Sequence, residues 1–269
     1  MTVTDPIQAF KDKQREGWAS FAPIETMTTP CAARLVRFAG VRAGQEVLDV
    51  ACGTGVVALT ARREGARVTG LDLTPELLAR AKVNSVSGYE DVVWKEGDAE
   101  VLPFGDAKFD VVLSQFGHMF APRADRTLSE MLRVLRPGGT IAFSTWPPEL
   151  FTGQLFQIAG RHAPPLPPGA SPSPQWGDIG IVRQRLGEAV RDIEFDRDVM
   201  RFAAISPAHY RASIEEGSAP VRAAVRAYAN EPAKLAAYRK EIDTLIHRYF
   251  EPAENVVRMD YLMTRAIKR

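Results

Sequence analysis

The segment with the clearest chemical signature is a glycine-containing turn that follows a short apolar run. Asp49 lies near the end of this run, and Gly53 and Gly55 follow it within the turn. Glycine adopts backbone angles closed to other residues and lets a ligand approach the main chain. The NH groups and partial positive charge at the start of the next helix would attract such a ligand. Asp72, in the next strand-like run, is placed to accept hydrogen bonds from two vicinal ribose hydroxyls, so the spacing predicts a nucleoside ligand.

Two classes of cofactor are compatible with this turn. Gly53-x-Gly55-x-x-Ala58 matches the dinucleotide fingerprint, whose glycines admit a pyrophosphate. Asp49 would face that pyrophosphate with like charge, whereas it suits a cationic ligand that carries an ammonium and a sulfonium. A role for Asp49 as a simple loop cap is the alternative. We therefore favour the cationic cofactor over a nicotinamide dinucleotide.

The ordered set of motifs resembles that of the class I S-adenosylmethionine-dependent methyltransferases. The resemblance covers roughly residues 46–146, and it is closest to the bacterial small-molecule group that includes the ubiquinone and menaquinone biosynthesis methyltransferases. The matching segments are residues 47–55, 71–78, 96–104, 109–114 and 135–139. Each motif is common on its own, and the resemblance lies in their order along the chain.

The resemblance implies a role for each residue of the turn and for the first acidic loop. Asp49, Ala51 and Gly53 would surround the methionine part of S-adenosylmethionine, which becomes S-adenosylhomocysteine as product. Gly55 would allow close approach near the ribose, and Asp72 would bind the ribose hydroxyls.

The later motifs imply contacts with the adenine and with the substrate. Leu73 would pack on the adenine, Asp98 would accept from its amino group, and the Ala99 amide would donate to a ring nitrogen. Asp98 as a mere turn residue is the alternative. Ser114 and Gln115 would contact the methionine part and face the substrate.

A candidate general base follows the fourth predicted strand. His118 lies in the loop at the carboxyl edge, where α/β sheets bind ligands, and histidine titrates near neutrality. The alternative is a histidine that lines the pocket or caps a helix. Trp18, Phe116, Met119 and Trp146 are candidates for an apolar substrate pocket, or else for ordinary core.

The elements that must position these residues alternate between strand-like and helical patterns up to Trp146, which predicts a parallel α/β sheet. The resemblance extends this to a Rossmann-like sheet of seven mostly parallel strands, with an antiparallel last strand and helices on both faces. We expect a helix over 126–135 to stop at Pro137, and the fifth strand to begin at Thr140.

The chain is expected to form one compact domain with three parts. Residues 1–45 form N-terminal helices or a lid, and residues 46–146 form the cofactor-binding core. Residues 147–269 contain the last strands and a helical substrate cap inserted between the last two of them. A proline cluster over residues 164–174 predicts an extended loop or a lid.

Composition limits the possible functions. The 269 residues carry 34 Lys and Arg against 33 Asp and Glu, so a generally basic nucleic-acid binder is not expected. No apolar run approaches the roughly 20 residues of a membrane span, and no secretory signal is visible. With two cysteines and no grouping of metal ligands, we expect no metal and a cytoplasmic location.

The sequence thus predicts an S-adenosylmethionine-dependent methyltransferase that acts on a small, partly apolar molecule. The alternatives are an NAD(P)-dependent oxidoreductase and a non-catalytic protein that binds S-adenosylmethionine. A nucleic-acid amino-methyltransferase is disfavoured, because the run Ser114-Gln115-Phe116-Gly117 lacks the Asn or Asp and the Pro-Pro-aromatic pattern of those enzymes. The oligomeric state is not readable from the sequence.

Overall fold

A twisted β-sheet with helices on both faces forms the centre of the protein, whose computed structural model describes residues 5–21, 25–86 and 88–269. The strands are β1 Glu46–Val50, β2 Arg67–Asp72, β3 Val93–Glu96, β4 Phe109–Gln115, β5 Leu135–Thr145, β6 Val190–Ala203, β7 Phe250–Glu251 and β8 Val256–Lys268. The α-helices are α1 Pro6–Trp18, α2 Glu25–Ala39, α3 Val56–Arg63, α4 Pro75–Ser85, α5 Ala124–Val134, α6 Phe151–His162, α7 Ile179–Leu186, α8 Pro207–Gly217, α9 Ala219–Ala227 and α10 Pro232–Tyr249.

The strand order is β3-β2-β1-β4-β5-β8-β6, with β7 paired to β8 outside this path. The first five strands are parallel, and β8 runs antiparallel to both β5 and β6. This confirms the predicted Rossmann-like sheet with its antiparallel last strand. The sheet formed by the described residues has eight strands rather than seven, because the two-residue β7 is too short to leave a pattern in the sequence.

Successive residues of the central strands face two separate apolar layers. Val47 and Val111 pack with α2 and α3, whereas the next residues, Leu48 and Val112, pack with α5 on the other side. All four are fully buried or nearly so. Near-continuous apolar runs are therefore required here, as expected of parallel strands covered on both faces.

The turn before the fifth strand differs from the prediction. We expected Pro137 to separate helix from strand, but β5 begins at Leu135 and continues through the Pro-Gly-Gly sequence. The pairing with β4 shifts register there, from Phe109 opposite Leu135 to Val111 opposite Thr140. Pro137 is tolerated because the skipped residues need no ladder hydrogen bond from it.

Three helices, α8, α9 and α10, lie between β6 and β8 in the chain and form the predicted cap. Ser206 caps α8 by accepting a hydrogen bond from the His209 amide, and Tyr238 and Ile242 of α10 are completely buried. Helix α1 packs against α9, so the N-terminal region contacts the cap. Within the described ranges, no helix combines the length and apolar character needed to cross a membrane.

Candidate functional site

A cavity lies at the carboxyl ends of β1, β2 and β4, where α1 and the cap approach the sheet. Its polar end is formed by the loops that follow β1, β2 and β3, and its other end by α6, α8 and the last two long strands. Carboxyl ends of parallel strands form the usual ligand site of α/β sheets. Eleven of the predicted site residues line it: Trp18, Asp49, Ala51, Gly53, Asp72, Leu73, Asp98, Ala99, Gln115, Phe116 and Trp146.

Asp72 joins the two loops at the polar end. Its carboxylate accepts hydrogen bonds from the Gly53 amide at 2.7 Å and from the Thr74 amide at 2.8 Å. Burial raises the pKa of Asp72, although these two amides favour its charged form. The turn itself requires left-handed backbone angles at Ala51 and Gly53, with φ of 54° and 55°. Both carboxylate oxygens of Asp72 retain lone pairs that can accept hydrogen bonds from further donors.

Asp49 supplies an incompletely paired carboxylate to the cavity. One oxygen accepts the Ala58 amide at 3.0 Å, and the other is buried with no hydrogen-bond partner among the described residues. Burial raises the pKa of Asp49 well above its usual range, and the nearby charge of Asp72 adds to the effect. A cationic donor in the cavity would favour the charged form of Asp49 and so offset the effects of burial and of the Asp72 charge on its pKa.

A buried ion pair fixes α1 over the third loop. Lys11 is only 4% exposed, and its ammonium lies 2.6 Å from Asp98 and 2.5 Å from Glu100, which is completely buried. Arg123 also pairs with Glu100, at 2.6 Å. The sequence reasoning missed Lys11. Its signal was the spacing of Lys11, Gln14 and Trp18, which all line the cavity from one face of α1.

The other end of the cavity is apolar and rich in aromatic rings. The rings of Phe116 and Trp146 stack with their centroids 4.0 Å apart and an interplanar angle of 11°. The ring centroids of Trp18 and Phe120 are 4.7 Å apart. The remaining lining residues at this end include Leu155, Phe156, Met200, Phe202, Tyr210, Ile214 and Met259. The proline cluster does not line this cavity, so the structure does not support a lid there.

The structure contradicts the prediction that His118 is a general base. Its side chain is completely buried and does not line the cavity, because a short 3-10 helix over His118–Phe120 directs it into the core. The imidazole ring packs against the rings of Phe143 and Trp176, with centroid distances of 4.8 Å and 4.6 Å. Burial lowers the pKa of His118 to about 3, with the charge of Arg185 a smaller cause. His118 is therefore a neutral core residue.

Three further predicted residues lie outside the cavity lining. Ser114 is buried, and its hydroxyl donates to the Val50 carbonyl at 2.7 Å, so it joins β4 to β1. Met119 is a core residue, 1% exposed. Gly55 has φ of 85°, and a Cβ there would lie 2.5 Å from the ring of Trp94. The positive φ and the packing against Trp94 both favour glycine at this position.

Comparison with known families places the core among methyltransferases. Residues 48–143 match the family model described as a methyltransferase domain. An uncharacterized protein of Mycobacterium tuberculosis is 38% identical over 273 residues, covering 99% of this chain and 98% of the relative. A demethylmenaquinone methyltransferase of Tropheryma whipplei is 35% identical over 127 residues, covering 47% of this chain and 52% of the relative.

Solved structures of low sequence identity share the fold. The YcgJ protein from Bacillus subtilis has a TM-score of 0.61 and 19% identity, covering 88% of this chain and 97% of its own. A phosphoethanolamine N-methyltransferase from Haemonchus contortus, in complex with S-adenosylmethionine, has a TM-score of 0.55 and 17% identity, covering 89% and 52%. The chain thus contains a methyltransferase domain over residues 48–143 and has a Rossmann-like methyltransferase fold.

Proposed function

We propose that the protein transfers a methyl group from S-adenosylmethionine to a small, largely apolar molecule. The observation that carries this proposal is a buried carboxylate oxygen of Asp49 that has no hydrogen-bond partner in the described part of the chain and belongs to a side chain lining the cavity. A carboxylate is satisfied by a cationic donor and repelled by a phosphate. The site therefore favours a ligand with an ammonium group over a dinucleotide.

The residues of the polar end fit each part of this cofactor. Asp49 would accept from the ammonium group, and Asp72 from the ribose hydroxyls. Leu73 would pack against the adenine, and Asp98 and the Ala99 amide would bind its polar edge. All five line the same cavity along the edge of the sheet. When bound, S-adenosylmethionine supplies a methyl group already activated on its sulfonium.

The chain's own contribution is to orient the acceptor and exclude water. Methyl transfer needs the acceptor atom in line with the methyl group, and holding two reactants in this geometry removes much of the entropic barrier. The aromatic residues Trp18, Phe116 and Trp146 line the cavity and present apolar surface to such an acceptor. Helix α1, held by the Lys11 ion pair, covers the polar end.

Isothermal titration with S-adenosylmethionine, S-adenosylhomocysteine and NAD tests the proposal. We expect the first two to bind with one site per chain and NAD to show no binding. Asp72→Ala should weaken binding at least tenfold, since it removes charged acceptors worth about 1.5–3 kcal/mol each. Asp106→Ala, a matched change at an exposed ion pair, should bind normally.

Two results would count against the proposal. Absence of binding to both S-adenosylmethionine and its demethylated product would exclude the cofactor. Binding without methyl transfer to any member of a broad acceptor panel, followed by mass spectrometry, would favour a non-catalytic binding protein instead.

A further inference from the structure

The apolar end of the cavity contains two hydroxyl groups with unused hydrogen-bonding capacity. Thr152, in the first turn of α6, is 3% exposed, and its hydroxyl has no partner among the described residues. Tyr210 of α8 is 1% exposed, and its hydroxyl contacts only the sulfur of Met259, at 3.6 Å, among the described residues. Both side chains line the cavity.

The two hydroxyls come from elements that pack together. The ring of Phe151, the residue before Thr152, lies 5.6 Å from the ring of Tyr210. Thr152 and Tyr210 both line the cavity, and they lie on the two helices that contribute to its apolar end. Burying a hydroxyl without a partner costs free energy, and a thioether sulfur is a weak acceptor. A ligand with a complementary polar group would remove this cost.

The two ends of the cavity differ in the charge of the side chains that line them. The charged side chains that line the cavity are Lys11, Arg15, Asp49, Asp72 and Asp98. They belong to α1 or to the loops after β1, β2 and β3. Among the described residues, the other lining residues of α6, α8, β6 and β8 carry no charge. A charged ligand group placed there would lose its hydration without gaining an opposite charge.

We propose that the methyl acceptor is an uncharged, flat aromatic molecule with a hydroxyl or carbonyl group, which Thr152 and Tyr210 bind by hydrogen bonds. This inference rests on the proposed methyltransferase function and specifies its substrate class. Phe116 and Trp146, whose rings stack on each other, both line the cavity, and aromatic ligands pack favourably against aromatic side chains.

Three probes that share the same bicyclic ring system test the substrate class on protein saturated with S-adenosylhomocysteine. They are 2-naphthol, naphthalene and naphthalene-2-sulfonate, and their binding is measured by isothermal titration. We expect 2-naphthol to bind, naphthalene to bind about tenfold more weakly because it lacks the hydroxyl, and the sulfonate not to bind. Binding of none of the three, or a sulfonate that binds as tightly as 2-naphthol, overturns the proposal.

Matched variants identify the residues responsible. Thr152→Val and Tyr210→Phe should each reduce the preference for 2-naphthol over naphthalene by about fivefold. Thr264→Val and Tyr238→Phe are the controls, because both side chains are completely buried but do not line the cavity. These controls should keep the wild-type preference.

Two titrations distinguish a failure of this inference from a failure of the proposed function. Titration of S-adenosylhomocysteine into the unliganded wild type tests the cofactor alone, and a failure there removes the proposed function. If the cofactor product binds but the preference for 2-naphthol is unchanged in Thr152→Val and in Tyr210→Phe, only the substrate proposal is overturned. Thr152→Val should not lower the melting temperature, since valine has a similar shape and removes an unpartnered hydroxyl.

Discussion

The substitution Asp49→Asn tests whether a carboxylate selects the cofactor by charge. Asparagine has nearly the same shape, and its side-chain oxygen can still accept the Ala58 amide, which lies 3.0 Å from Asp49. The second position, an unpartnered oxygen in the wild type, then becomes an NH₂ group. The cavity would present a donor where the ammonium group needs an acceptor.

The magnitude follows from one charge-assisted hydrogen bond. Such bonds contribute about 1.5–3 kcal/mol, so affinity for S-adenosylmethionine should fall by about 10- to 150-fold. Binding should also depend on pH, because burial raises the pKa of Asp49 and a cation favours its ionised form. Wild-type binding should release protons, and affinity should weaken by up to about tenfold per pH unit below the pKa of Asp49 in the unliganded protein.

Titrations at several pH values, in buffers of different ionisation enthalpy, measure affinity and proton release together. Asp91→Asn is the control, since Asp91 is 61% exposed and pairs with Arg62 at the surface. Asp49→Asn should lose the pH dependence as well as the affinity. An Asp49→Asn variant that binds within twofold of the wild type, and a wild type whose affinity does not change with pH, would refute the reasoning.

The stability of Asp49→Asn provides an independent readout. A raised folded-state pKa means that Asp49 favours folding when protonated, and this contribution is lost as pH rises from the unfolded pKa through the folded one. Asparagine cannot ionise, so the variant should melt at a higher temperature than the wild type at pH 8. A lower melting temperature would contradict the assigned effect of burial.

Three further substitutions test other parts of the site. Because the pKa of His118 is lowered, its contribution to the free energy of unfolding is complete above pH 6.5 and is lost towards pH 3, by up to about 1.4 kcal/mol per pH unit. Urea unfolding of His118→Leu should not show this loss. An altered pH profile of activity in this variant would restore the hypothesis that His118 is a general base. Lys11→Met should destabilise the protein by about 1–3 kcal/mol, because buried Glu100 keeps Arg123 but loses its second cationic partner and Asp98 loses its ammonium donor. The exposed Lys13→Met should change stability by roughly ±0.5 kcal/mol, and equal effects of the two variants would show that the ion pair is unimportant. Gly55→Ala should destabilise by about 2–5 kcal/mol through its positive φ and the neighbouring tryptophan ring, whereas lost cofactor affinity at unchanged stability would return Gly55 to the ligand site.

The location of the polar end was readable from the sequence because it follows from topology. Asp49 and Asp72 each lie near the end of a predicted strand, and Asp98 follows shortly after another. Parallel strands end at one edge of a sheet, so side chains far apart in sequence must converge there. Strand-end position therefore predicted that Asp49 and Asp72 line the cavity, whereas Asp98 was identified through the family resemblance.

The direction of individual side chains beyond the strands was not readable. Phe116 has a positive φ of 58°, and this turn places Phe116 in the cavity while His118 enters the core. A residue's distance from the strand end does not determine its direction once the backbone leaves the extended conformation. Lys11 was missed for a different reason, because its carboxylate partners are more than 80 residues away in the chain.

The two ends of the cavity are stabilised in different ways, and this difference has a consequence for specificity. Backbone amides donate hydrogen bonds to Asp49 and Asp72, so the positions of these side chains at the cofactor end depend on the backbone conformation of the loops beside the sheet. Thr152 and Tyr210 lie on helices whose position depends on side-chain packing, including the contact between Phe151 and Tyr210. Substitutions on α6 and α8 can therefore change the acceptor while the loops at the cofactor end stay in place. A variant of Thr152 that alters acceptor choice with unchanged affinity for S-adenosylhomocysteine is the expected result of this separation.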